Sequence, residues 1–430
     1  MFKNLFYSKA SVLLLMLFIV EFFRFHLFPH FLRDLTNFRL LLVIIILLTM
    51  WSIDDVKIRV HTSYMKKFNL LMLCLAICII LNCISCLYYR EQSLFETICN
   101  WSPILILYLY YPLSSVNLKV KDWEKILFWL FAINVLAHVL LSFIDRPYLF
   151  FDLDVSDVRY DKDHRLRLYS DGILFLGSIF SFNKFLTDKN NRIYYFLFYL
   201  LSLYAIFLMG FRTVIMSILV VCFLLYVKIR RLSFKFVALS AFLFSLSFFL
   251  YINSDAIQNR TQEIVNRNQT ANFGNEDYVR VLLINFYYTD YFKSPTEMVF
   301  GSGMVRRLFD NPEITKTFKG VYPSKYSKEV SIYSDRYHFF PVDLGIIGFS
   351  WEAGIPAALI LLLLCFLLLI PSQDDEYNYI RGWGLFNILI SVTIPFYYYH
   401  KNLLFTVVVI VIFMKLKGSK TINLKIFKGE

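Results

Sequence analysis

Long apolar runs separated by short polar connections set the pattern of this chain. A helix that crosses a bilayer needs about 20 mainly apolar residues. Runs of that kind fall near 9–28, 38–53, 68–89, 97–115, 123–144, 170–187, 192–210, 212–228, 232–252, 342–371, 379–398 and 402–416. The pattern predicts an all-α polytopic membrane protein with about 12 transmembrane helices. The first run follows Lys3 and Lys9 as a signal peptide would, but it has no small-residue cleavage site and continues through Glu21, Phe22, Phe23 and Arg24, so it reads as a retained span. Two connections are long, 145–169 and 253–341, and no internal repeat is evident. The implied organisation is a transmembrane bundle over 1–252, a large extracytoplasmic loop over 253–341, C-terminal helices over 342–416 and a basic tail over 417–430.

Composition agrees with that pattern. Apolar residues make up 58% of the 430 positions and charged residues 18%, with a mean hydropathy of +0.56. A soluble domain carries about 25% charged residues, so a soluble fold is excluded. The 14 glycines against 75 Phe and Tyr residues exclude collagen-like, glycine-rich and disordered classes, and point to many lipid-facing or interfacial rings. The net charge of +12 does not imply nucleic acid, because membrane proteins collect Lys and Arg on their cytoplasmic side. With the N-terminus inside, 22 of the 44 basic residues fall on cytoplasmic segments and only 6 in the short outer connections. Both termini are thus expected in the cytoplasm, and the two long connections on the outer face.

Polar chemistry concentrates on that outer face. The 253–341 loop holds 11 basic and 10 acidic residues and is rich in aromatic ones. From Asn275, an N-cap type, through Glu276 and Asp277 to Pro295, the sequence reads as an amphipathic helix on the membrane surface, either an interfacial anchor or part of a substrate site. Arg212 interrupts two apolar runs, where a guanidinium costs about 2.5–3.5 kcal/mol; it either lines a wet cavity or sits in an outer-leaflet turn from which it snorkels to the surface. Arg280 opens the amphipathic helix. Arg165 and Arg167, two apart, point to one side of an extended segment and can hold an anion jointly, or pair with Asp161, Asp163 and Asp171. His338 closes the large loop, where an imidazole can take a proton from a hydroxyl near neutral pH, and His400 lies in a second outer connection. The two DxD motifs, Asp152/Asp154 and Asp161/Asp163, lack a surrounding nucleotide-binding pattern. Cys83 and Cys86 form a CxxC inside an apolar helix and read as small buried side chains; no metal, cofactor or disulfide framework is expected.

These residues resemble the O-antigen polymerase and ligase superfamily, integral-membrane glycosyltransferases of C type that act on polyprenyl-diphosphate-linked glycans at the outer face of the bacterial inner membrane. The resemblance is carried by Arg212 in GFRTVIMS, by Arg280 followed by Gly301 and Gly303 in VFGSGM, and by His338 with Asp343, Gly345, Gly348, Gly354 and Ile355. It departs from the family pattern at Phe211, where Ser or Thr is usual, and at Phe339, where ligases often have Asn; the latter favours a polymerase over a ligase. The resemblance implies metal-independent, inverting glycosyl transfer that joins lipid-linked repeat units into O-antigen or capsular polysaccharide. In that scheme Arg212 and Arg280, helped by Arg165 or Arg167, hold the diphosphate, and His338 is the base. Asp343, Glu352, Gly301 and Gly303 give support. The implied partners are the lipid-linked glycan donor and acceptor, membrane lipids, and possible chain-length regulator and flippase proteins, with no nucleic acid. Two alternatives stand beside this reading: a ligase that transfers the glycan to lipid A core, and, from a different class, a lipid-linked oligosaccharide flippase or other transporter.

Overall fold

The computed structural model describes residues 12, 15–17, 63–90, 101, 103–116, 118–142, 171–209, 212–230, 292, 294–303, 344–370, 374–392 and 400–426. The described residues are almost wholly helical and include no β-strand. In chain order they form α1 (Ser63–Arg90), a 3-10 turn (Ile106–Leu109) leading into α2 (Tyr110–Ser115), α3 (Val120–Ser142), α4 (Asp171–Thr187), α5 (Arg192–Met209) and α6 (Arg212–Arg230). There follow α7 (Pro295–Phe300), α8 (Ile346–Ala353), α9 (Ile355–Leu368), a 3-10 turn (Asp375–Tyr377), α10 (Asn378–Ile390) and α11 (His400–Ile426).

Among the described residues two helices, Ser63–Tyr89 and Val120–Leu140, are long and apolar enough to cross a membrane. Four shorter apolar helices accompany them: Gly172–Thr187, Arg192–Phe207, Thr213–Ile229 and Ile355–Leu368. The expected spans at 38–53 and 232–252 lie outside the described residues, as does most of 9–28. The expected single run 342–371 is in fact two helices. Gly354, at φ 93°, takes a conformation that side chains disfavour, and Pro356 in the first turn of α9 cannot donate back across the joint. Run 379–398 is helical only to Ile390, with 393–399 outside the described residues, and run 402–416 belongs to the longer α11. Within 97–115 the 3-10 turn precedes a short α2. Pro295 starts α7 behind the N-cap Ser294, a position where its missing N–H costs nothing; the helix expected to end before it lies outside the described residues.

α4 lies at the centre because it is apolar nearly all round, and residues 172–184 are all buried. Its smallest residues admit close neighbours: Gly177 packs onto the Phe131 ring of α3, and Gly172 onto Asn402 of α11. α5 folds back along α4 through a four-residue turn, with Ser178 bonded to Ser202 (2.7 Å) and the rings of Phe182 and Tyr199 5.0 Å apart. Asp188 shapes this turn by accepting from the backbone N–H groups of Asn190 and Asn191 (2.9 and 3.2 Å). Partial burial pushes its carboxyl up, but these hydrogen bonds and the Lys184 charge outweigh that and hold it below the ordinary value. α10 meets α4 through Phe175–Phe386 and Phe180–Tyr379 contacts, and meets α11 where Trp383 Nε1 donates to Thr406 Oγ1 (3.0 Å). Residues 401–414 of α11 are likewise buried, so α4 and α11 form the interior, while α1, α3, α5, α6 and α9 carry exposed aliphatic side chains.

One buried ion pair ties three elements together at the C-terminal end of α4. Lys184 Nζ lies 2.9 Å from Glu124 Oε1 and donates to its Oε2 (3.1 Å), and it reaches Glu376 Oε1 at 2.8 Å. The rings of Phe180 and Tyr377 flank the ammonium at 5.4 and 5.5 Å. Asn183 adds a hydrogen bond to the Glu376 carbonyl (2.7 Å). Removing one member of a buried pair strands the other charge, at a cost of about 3–5 kcal/mol. Lys184→Ala should therefore lower the thermal unfolding midpoint of the purified protein strongly. Glu376→Gln should lower it far less, because the Glu376 side chain is 44% exposed; equal shifts would contradict this account.

Candidate functional site

Backbone that is neither helix nor sheet can sit among apolar helices only if its N–H and C=O groups find partners. The non-helical segment Gly301–Gly303, which follows α7, finds such partners on α1 and α8. Ser294 Oγ accepts from the Glu297 N–H (3.1 Å) and caps α7. α7 ends at Gly301, whose φ of 85° turns the chain; a β-carbon there would collide with the Glu352 carbonyl. The chain then runs beside the end of α8. The Ser302 N–H donates to the Trp351 carbonyl (2.8 Å) and the Gly303 N–H to the Glu352 carbonyl (3.0 Å).

Asn82 locks this junction from α1. Its Nδ2 donates to the carbonyls of Phe300 (2.8 Å) and Glu352 (2.7 Å), while its Oδ1 accepts from Trp101 Nε1 (2.9 Å). Because an indole N–H only donates, the amide orientation follows from the network. One turn on, Ser85 Oγ donates to the Gly301 carbonyl (2.8 Å), and Cys86 packs under Gly303. Asn82, Ser85 and Cys86 thus make one face of α1 the seat of the Gly301–Gly303 segment. The seat lies about 6–12 Å from the Arg90 end of α1, taking the helical rise per residue. The far end of α8 is fixed as well, since the Ile346 N–H donates to the Ser391 carbonyl (2.6 Å). The chain therefore leaves the described core at Gly303 and rejoins it at Leu344 within the length of one short helix.

Of the residues expected to form a site, the structure brings together Gly301, Gly303 and Glu352, with Gly354 and Ile355 beside them. Glu352 is 2% exposed, and it is its backbone carbonyl that takes the two hydrogen bonds of the junction. Arg212 opens α6, and His400 opens α11; their side chains lie outside the described residues, as do Arg165, Arg167, Arg280, His338 and Asp343. The amphipathic helix expected from Asn275 and the two DxD motifs also lie outside them. Cys83 and Cys86 are both buried. No cluster of His, Cys, Asp and Glu that could hold a metal occurs among the described residues.

Several polar residues escaped the sequence reading. Asn82, Ser85 and Trp101 build the junction, and Glu297, fully buried on α7, lies next to it. His138 is buried on α3; its Nδ1 donates to the Asn134 carbonyl (2.8 Å), leaving Nε2 with no hydrogen-bond partner among the described residues. Lys401 and Asn402 are buried at the start of α11. The available signal was a lone polar residue inside an apolar run, as in IILNCISC around Asn82, a context in which such residues commonly serve function or packing.

No protein-family model matches the chain, and no curated protein matches it in sequence.

The junction makes a graded prediction. Asn82→Ala leaves the Phe300 carbonyl and the Trp101 N–H unsatisfied, at about 1–3 kcal/mol for each group. Asn82→Asp should be worse, because a carboxylate facing two carbonyl oxygens cannot donate to them. Thermal unfolding of the purified variants checks the order; an Asp variant as stable as the parent would show that Asn82 does not hold the junction.

Proposed function

We propose that this chain is a polytopic membrane glycosyltransferase that joins polyprenyl-diphosphate-linked oligosaccharide units into a polysaccharide at the outer face of a bacterial inner membrane. The observation that carries the reading is the junction: VFGSGM and SWEAGI, stretches some fifty residues apart that bear the family-like glycines, are hydrogen-bonded to each other and to α1. A segment ordered in this way gives a loop that leaves and returns beside it a fixed base. The 12 apolar runs, the basic bias of one set of connections and the 253–341 segment support the topology.

The donor carries its leaving group already activated as a diphosphate, and negative charge grows there as the anomeric bond breaks. Arg212 and Arg280 stabilise that charge by bidentate hydrogen bonds, with Arg165 or Arg167 beside them. His338 takes the proton from the acceptor hydroxyl as its oxygen attacks the anomeric carbon, and direct displacement inverts the configuration. Gly301, Gly303 and the Glu352 backbone position the loop. Asp343 assists at the re-entry.

A transporter of lipid-linked oligosaccharide is the second reading, and one observation favours it. The break between α8 and α9 at Gly354, next to inserted non-helical backbone, is the kind of discontinuous helix that transporters use at their binding sites.

The deciding assay uses the purified protein with a lipid-diphosphate-linked oligosaccharide and no metal, with and without a lipid A core acceptor. A ladder of longer lipid-linked glycans without the core acceptor is expected. A single transfer that needs the core acceptor would make the protein a ligase, and absence of covalent product in both cases would shift the reading to transport. Arg212→Ala and Arg280→Ala should insert normally and lose about 10²–10³-fold in rate, as for the loss of a charge-stabilising donor. His338→Ala should lose about 10²–10⁴-fold and its dependence on pH near neutrality. Unchanged transfer in both arginine variants would sink the diphosphate clamp.

A further inference from the structure

Two cations from different helices meet at the start of α10. Lys228, in the last turn of α6, donates from Nζ to Oδ1 of Asn378, the first residue of α10 (2.9 Å). Arg381 follows Asn378 by three residues, so the two side chains are neighbours on the surface of α10. Arg381 is anchored from the opposite side, where its Nε donates to the Leu369 carbonyl at the end of α9 (3.0 Å). An ammonium from α6 and a guanidinium from α10 thus come to adjacent positions, and their like charges act on each other. Among the described residues neither forms an ion pair, since each donates to a neutral oxygen.

The carboxylates of this corner cancel that charge only in part. Asp375 accepts from Asn378 Nδ2 (2.8 Å) and offsets one of the two cations, while Glu376 is matched by Lys184. Exposed Asp374 is outnumbered by Arg230, Arg231 and Lys235, which end and follow α6 with no carboxylate before Asp255. An apolar channel leads away from the cations, because α10 packs between α6 and α9. On α6, Lys228, Leu224 and Val220 are exposed and four apart, which makes them one row. On α10, Arg381, Leu385 and Ile388 form a second row of half-buried residues. Gly384 packs onto Cys365 and Leu368 of α9 while Arg381 reaches Leu369, so α9 runs antiparallel and its exposed Phe366 lies level with Leu385.

We propose that this channel binds an anionic phospholipid of the cytoplasmic leaflet, its phosphodiester held by Lys228 and Arg381 and its acyl chains laid over Leu224, Leu385 and Phe366. The inference rests on the membrane part of the reading above and is independent of glycosyl transfer. The topology expected from the sequence puts both cations on the cytoplasmic side, where anionic headgroups collect. Arg381 presents a planar fork suited to phosphate oxygens, and with Nε engaged by Leu369 its two terminal nitrogens serve the lipid; Lys228 adds a point charge beside them. Each cation heads an apolar row, so one molecule satisfies the charge and covers the rows. A second copy of the chain, oriented alike in the bilayer, would instead bring another such pair of cations to the same level.

The test is native mass spectrometry of the full chain released from nanodiscs that contain equal amounts of phosphatidylglycerol and phosphatidylcholine. Wild-type protein should retain phosphatidylglycerol over phosphatidylcholine by on the order of tenfold, as two cations at a headgroup provide. K228Q/R381Q should lose that preference, and K228R/R381K should keep it, which separates charge from folding. K66Q/K67Q, which removes two cations from α1, should keep it as well. Equal retention of the two lipids by the wild type, or an unchanged preference in K228Q/R381Q, overturns the proposal. An equal loss in K66Q/K67Q also overturns it, because overall charge and not this channel would then select the lipid. Displacement by millimolar inorganic phosphate would assign the cations to free phosphate, and disulfide cross-linking of copies through Leu224→Cys would assign the channel to a second chain; either result defeats the lipid site. Recovery of the full chain in solution without detergent would defeat the membrane reading itself, a result distinct from any loss of lipid preference.

Discussion

Inserting irregular backbone among apolar helices is the constraint on which the rest of this structure depends, and the Asn82 amide is the group that meets it. In a medium without water every carbonyl and N–H of the 300–303 segment needs a protein partner, and a wholly apolar α1 would offer none. One Asn supplies two donors and one acceptor, and its acceptor is in turn fixed by Trp101. Because the same amide holds Phe300 and Glu352, it joins parts of the chain that lie far apart in sequence. Gly301 and Gly354 serve this approach directly, since the backbone on each side passes where a β-carbon would stand.

A second polar arrangement, at the other end of α4, solves a different problem. Lys184 is among the most buried cations described, and it is tolerable there because two carboxylates and two aromatic faces surround it. The pair couples α3, α4 and the turn before α10, whereas the Asn82 network couples α1, α7 and α8. Between them the packing is apolar and aromatic, and it is set by the small residues Gly177 and Gly382, which let Phe131 and Val221 come close to the neighbouring backbone. Positions that hold irregular backbone and positions that hold helices in register are therefore separate in this fold, and a functional loop can be borne by the first while the second stays rigid.

Much of the helical layout was legible in advance. The ends of α1, α3, α4, α5 and α6 fall within a few residues of the apolar runs from which they were read, because a long run without charges has few alternatives to a helix. The break at Gly354 was not legible. The run 342–371 holds Gly345, Gly348, Gly354 and Pro356, and their spacing does not say at which one the helix breaks; the close approach of Phe300 to Gly354 sets the place. That Pro295 begins α7 was not read either, and the Ser294 cap is what starts the helix there. Gly301, Gly303 and Glu352 were singled out from a short and degenerate pattern. Their meeting with Asn82 could not be read, since nothing in the spacing of α1 names the segment it will face.

The sequence by itself determined that the described residues are helical and that two of their helices, Ser63–Tyr89 and Val120–Leu140, are apolar over lengths suited to a bilayer. Those properties follow from local composition and period, which act within about twenty residues. Tertiary structure alone decided which helices lie inside, where the apolar run after Asp343 breaks, and which polar side chains satisfy the inserted backbone. The physical reason is that a buried hydrogen bond is specified by both of its partners, and here the partners stand as far apart as Asn82 and Glu352.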